Sequence, residues 1–140
     1  MPKNSFRCIA ALLAVLSIQP ASGQTPSAVT NAASFVVEEA APGSIAVIFG
    51  TNLSAGTDQA TSVPWPRTLG GTTVYSNGVA VPLYYVSPTQ INFQVPSNAL
   101  AGLPTNILSL NIVNGSSAVR SSFAVSAAAP GIFVGANGWA

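Results

Sequence analysis

Two of the three Asn-Gly dipeptides, Asn77-Gly78 and Asn114-Gly115, each set between short apolar segments, narrow the possible folds more than any other feature of the chain. Asn and Gly both tolerate positive φ, which the central residues of a two-residue hairpin turn require. Asn114-Gly115 gives the clearer case. Before it, Leu108, Leu110 and Ile112 point one way while Ser109 and Asn111 point the other. After it, Val119, Phe123 and Val125 share a face, and Ala118, Arg120 and Ser122 share the opposite one. Period two on both arms predicts a hairpin with one buried and one wet side. Around Asn77-Gly78, residues 72–76 lead in and 79–81 lead out.

Other short segments rich in β-branched and aromatic residues lie at 45–49, 83–86 and 91–95, a composition that suits strands. With 12 Gly and 11 Pro spread over 140 residues, long helices are disfavoured. The spacing predicts an all-β fold, an antiparallel β-sandwich of about seven short strands. The expected core is Ile45, Val47, Phe49, Ile91, Phe93 and Val95, together with Leu108, Leu110, Ile112, Val119, Phe123 and Val125. Residues 24–43 read as a polar lead, 44–126 as the sandwich domain and 127–140 as an exit segment. Within the domain, 54–68 reads as a long ordered crossover loop.

Residues 1–23 follow a different grammar. Lys3 and Arg7 precede an apolar run over 8–18, then Pro20 and the small residues Ala21-Ser22-Gly23. This pattern predicts a secretory signal peptide cut after Gly23. The run is shorter than the roughly 20 apolar residues of a spanning helix, so no stable membrane span is expected in the mature chain. Cys8 opens the run and does not sit at the cut, which indicates plain export without a lipid anchor.

Beyond this leader the charged residues are Glu38, Glu39, Asp58, Arg67 and Arg120, and His, Cys and Lys are absent. A serine nucleophile would lack the base that must take its proton. Two arginines cannot neutralise many phosphates, which excludes a nucleic-acid partner bound through a basic patch. Glu38 and Glu39 are neighbours and would point to opposite faces of a strand, unlike the carboxylate pair that flanks a glycosidic bond. Asp58 could join them around Ca²⁺, but no EF-hand-type spacing supports a six- to eight-oxygen site. Gly70-Gly71 lacks the Lys-Ser/Thr of a phosphate loop. No catalytic residue, metal or cofactor is expected, and the chain does not read as an enzyme.

The best binding candidates are Trp65 and Arg67, held in Pro64-Trp65-Pro66-Arg67. A proline-held Trp can offer a flat face to a sugar ring, and Tyr75, Tyr84 and Tyr85 could extend it. The plainer reading makes Trp65 a cover for one open end of the sandwich, since large aromatics dominate burial in small domains. Tyr84 and Tyr85 are successive, so one should be buried and the other exposed. Gln90 and Asn92 are expected to bond backbone groups of the turn beside them.

The stretch Pro42-Gly43-Ser44-Ile45-Ala46-Val47-Ile48-Phe49-Gly50-Thr51-Asn52-Leu53 resembles the opening of IPT/TIG immunoglobulin-like domains. A later stretch, Val86-Ser87-Pro88-Thr89-Gln90-Ile91-Asn92-Phe93-Gln94-Val95-Pro96, is similar to the core motif of an uncharacterised C-terminal domain family of secreted acidobacterial proteins. The Ala129-Pro130-Gly131-Ile132-Phe133 exit resembles that family's as well. The resemblance covers residues 30–133 and matches the first half of the family's arrangement, so it implies an exit segment that is cut short. It implies an immunoglobulin-like sandwich, a secreted or cell-envelope location and no established catalytic residues.

The resulting expectation is an exported, non-catalytic module for interaction or structural spacing. Its partners would be other extracellular protein domains or cell-surface polymers, because a nearly uncharged polar surface repels neighbours little. The alternative is a carbohydrate-binding module using Trp65 and surface tyrosines. Intact mass of the exported product should place its N-terminus at Gln24, within about two residues; a product that retains Met1 would contradict the signal peptide.

Overall fold

The computed structural model describes residues 23–37 and 40–133. The expected signal peptide up to Ser22, the Glu38-Glu39 pair and the end of the exit segment lie outside the described residues. Ten strands form: β1 (Thr25–Asn31), β2 (Ile45–Thr51), β3 (Asp58–Gln59), β4 (Thr68–Leu69), β5 (Thr72–Ser76), β6 (Val79–Ala80), β7 (Leu83–Val86), β8 (Gln90–Gln94), β9 (Ile107–Asn114) and β10 (Ser117–Ala124). The first sheet runs β1-β2-β8-β7-β3. The second runs β10-β9-β5-β4, with β6 also on β5, and every pairing is antiparallel. The chain is an all-β sandwich. Among the described residues there is no helix, and hence none long and apolar enough to cross a membrane.

The polar lead is the main departure from expectation. Residues 25–31 are strand β1, which lies along the edge of the first sheet against β2. Its Thr and Ser residues obscure a strand whose far half is buried, with Val29 in the core. Close approach of β1 depends on Gly50. A methyl there would lie 2.9 Å from Pro26 Cα and collide with the Thr25 carbonyl. The crossover loop contains two-residue β3 and delivers the chain to the second sheet.

The two Asn-Gly sites behave differently. Asn77 and Gly78 both take positive φ, 46° and 83°, in the β5–β6 hairpin. At the other site Asn114 is still paired, with Ser117, so the turn is Gly115-Ser116 and only Gly115 needs positive φ.

The core lies between the sheets. Ile91, Phe93, Val95, Leu108, Leu110, Ile112, Phe123 and Val125 are buried as expected, and Val119 packs partly buried against them. Strand β2 uses the opposite face from the one expected. Ala46 pairs with Phe93 and Ile48 with Ile91, so these two face the core, and Val47 pairs with Asn92 on the outside. An unbroken apolar run carries no period-two signal, so its register comes from the partner strand. The outside of β2 is nevertheless covered. Val47 is buried, and Phe49 is half-buried with its ring 6.4 Å from that of Phe35.

Phe93 and Phe123 meet edge to face across the sandwich, 6.1 Å apart. Phe93→Ala should cost about 3–5 kcal/mol of stability in urea unfolding. Phe49→Ala, on the half-covered outer side, should cost less; equal losses would contradict the register of β2.

Candidate functional site

The loop before β4 is fastened to β7 of the first sheet by backbone bonds, in which Leu83 donates to the Pro66 carbonyl at 2.8 Å and Ala60 to the Tyr84 carbonyl at 2.9 Å. This sets the half-buried Trp65 against Tyr84, with ring centroids 4.9 Å apart and planes tilted by 39°. The Gln59 amide donates to the Tyr84 hydroxyl at 2.9 Å. Trp65 is therefore neither a sealed lid nor a free platform. It stays partly exposed beside a tyrosine and a carboxamide.

Tyr84 and Tyr85 do not divide into one buried and one exposed residue; both are half-buried. The β7–β8 register shifts between Leu83 and Tyr85, and a bulge of this kind breaks the alternation on which that expectation rested. Tyr85 lies opposite Asn92 and Gln59 on the outer face of the first sheet.

Arg67 does not join this group. Its guanidinium donates to the Ala80 carbonyl on β6, in the second sheet. Tyr75 is also in the second sheet, on β5, so it does not extend the Trp65 surface.

The turn between β7 and β8 is held by Ser87, not by the neighbouring amides. The Ser87 hydroxyl accepts from the amides of Thr89 and Gln90 at 3.3 and 3.0 Å and lies 3.3 Å from the Gln90 carbonyl, to which it can donate. Gln90 and Asn92 instead bond each other at 2.7 Å, Nε2 to Oδ1, on the outer sheet face. With Tyr85 and Gln59 they make that face polar and uncharged.

Asp58 is exposed, and both its oxygens accept backbone N–H groups. Oδ1 takes that of Gln59 at 2.8 Å and Oδ2 that of Gly70 at 3.2 Å. The carboxylate thus ties β3 to the β4–β5 turn. Glu38 and Glu39 lie outside the described residues. Among the described residues no three His, Cys, Asp or Glu side chains gather as a metal site.

Two surface features escape sequence reasoning. One is a concavity of about 360 Å³ on the outer face of the second sheet, lined by Tyr75, Asn77, Gly78, Asn111 and Arg120 among others. The alternation of β9 and β10 placed Asn111 and Arg120 on a wet face, but only the strand order brings Tyr75 beside them. The other is apolar. The Asn31 side chain donates to the Ala129 carbonyl at 3.1 Å, bringing the turn at 32–37 beside the exit segment. Phe35, Val36, Val37, Ile132 and Phe133 are all exposed there.

No protein-family model matches the chain, and no curated protein matches it significantly. Among solved structures the chain is similar to a protein of Bacteroides thetaiotaomicron VPI-5482 provisionally named a phosphatase, at 20% identity and a TM-score of 0.46. The match covers 77% of this chain and 19% of the other, so the chain spans about a fifth of that protein's length.

The bonding at the β7–β8 turn gives a direct comparison. Ser87→Ala should lower stability by about 1 kcal/mol, because the part-buried amides of Thr89 and Gln90 lose their hydroxyl acceptor. Asn92→Ala, on the outer face, should lower it less. Thermal unfolding of both variants checks the order; the reverse order would return the turn to the amides.

Proposed function

We propose that the chain is an exported, non-catalytic immunoglobulin-like module of the IPT/TIG kind that associates with other extracellular protein domains or cell-surface polymers. The observation that carries this reading is the exposed apolar end. Phe35, Val36 and Val37 on one segment and Ile132 and Phe133 on another are exposed at the same end of the sandwich. Large apolar side chains exposed together on a folded domain mark an interaction site.

The non-catalytic part of the reading rests on chemistry. The chain has no His, and outside its leader no Cys or Lys. The two backbone N–H groups that bond the Asp58 oxygens support a structural role for this carboxylate.

A carbohydrate-binding module is the second reading. Trp65 supports it, since it stays partly exposed beside Tyr84 and the Gln59 amide. Aromatic faces with adjacent hydrogen-bonding groups suit sugar rings, which present apolar C–H patches and hydroxyls.

Fractionation of the exporting cells separates the two. Wild type should stay with the envelope. Phe35→Ser combined with Phe133→Ser should release it to the medium, while Trp65→Ala should leave it bound. Circular dichroism on each variant controls for folding. Release by Trp65→Ala alone would favour the carbohydrate reading, and a wild type found only in the medium would contradict both.

A further inference from the structure

The geometry points to a second binding site, and we propose that the concavity on the outer face of the second sheet holds a carboxylate-bearing sugar of an acidic polysaccharide. Three side chains from three adjacent strands line it in one row. Tyr75 on β5 lies opposite Asn111 on β9, and Asn111 lies opposite Arg120 on β10. Directly opposed residues on antiparallel strands project to the same face. Strands lie about 4.8 Å apart, so the row spans about 10 Å from aromatic ring to guanidinium.

The rim is kept open by backbone conformation. Gly78 takes a φ of 83° in the β5–β6 turn and carries no side chain over the hollow. Asn77 is anchored beside it, its backbone amide donating to the Ser109 carbonyl at 3.1 Å and its side-chain oxygen accepting from the Ser109 amide at 3.3 Å. The hollow, about 360 Å³, falls within the range of small-ligand sites.

Charge identifies the ligand class. Arg120 is exposed and forms no ion pair among the described residues. Asp58 is committed to backbone amides, and the Arg67 guanidinium to the Ala80 carbonyl. A guanidinium presents paired donors that match a carboxylate. Asn111 offers a donor and an acceptor that suit hydroxyls, and Tyr75 offers a ring face with a polar tip. A hydroxyl-rich ring bearing one carboxylate satisfies all three. A single cation does not suit a polyphosphate, whose binding grows with the number of neutralised charges.

This assignment rests on the reading of the chain as a polymer-associating module and names the polymer's chemistry. Its test is independent of envelope retention, because it uses purified protein and a defined probe, polygalacturonate. In affinity electrophoresis and calorimetry at low salt the full chain should bind polygalacturonate and lose about fivefold in affinity on Arg120→Gln, the upper scale for an exposed ion pair. Tyr75→Ala should weaken binding as well. Methyl-esterified polygalacturonate, which keeps the hydroxyls and loses the charge, should bind as weakly as Arg120→Gln binds the acid. Arg120 is exposed, so its variant should keep the wild-type circular dichroism. Absence of binding, binding indifferent to Arg120→Gln, or equal binding of the methyl ester or of polyglutamate would overturn the proposal.

Discussion

The edge-to-face contact of Phe93 and Phe123 joins two sheets that no disulfide cross-links. The only cysteine is Cys8, so no disulfide can form within the chain. Cohesion therefore rests on apolar burial between the faces, with Phe93 of β8 against Phe123 of β10 and Ile48, Ile91, Leu108, Leu110 and Ile112 packed around them. Everything displayed outside depends on this layer, because the row of Tyr75, Asn111 and Arg120 exists only while β5, β9 and β10 keep their register. A core of this kind leaves outer faces free to vary, since alternate residues of the same strands do separate work.

That division of labour explains the character of the surfaces. The first sheet shows carboxamides and tyrosines, the second shows one arginine in a hollow, and the turn and exit segments expose Phe35, Val36, Val37, Ile132 and Phe133. Among the described residues these surfaces offer flat rings, neutral amides, one guanidinium and an apolar patch, the groups that the proposed recognition would use. The most specific-looking part of the sequence, Ser87 to Asn92, proves structural at its turn, where the Ser87 hydroxyl gathers two backbone N–H groups.

The fold was largely legible because β8, β9 and β10 carry period two in plain form, with the turn glycines where hairpins need them. What was not legible had local physical causes. Ile45–Phe49 is apolar throughout, so it carries no information on which side faces in, and the partner residues Ile91 and Phe93 decide it. Strand β1 is polar on its exposed positions and reads as a lead until β2 supplies the pairing and Gly50 the room. The β7 bulge cancelled a two-residue alternation argument for Tyr84 and Tyr85. The candidate site was legible only in part. Proline-held Trp65 does meet Tyr84, but Arg67 and Tyr75 belong to the other sheet, and the opposition of Tyr75 to Asn111 is a product of strand order that no local pattern encodes.

The central claim is that this sandwich recognises ligands on its outer surfaces and performs no chemistry. An amide-resolved NMR titration of the purified chain with solubilised envelope polymer from the cells that produce it tests it most directly. The account predicts shift changes confined to outer-face and apolar-end positions, around Tyr75, Asn111 and Arg120 or around Phe35 to Val37 and Ile132 to Phe133, with the polymer recovered intact. Shift changes centred on Asp58 accompanied by cleavage of the polymer would contradict it.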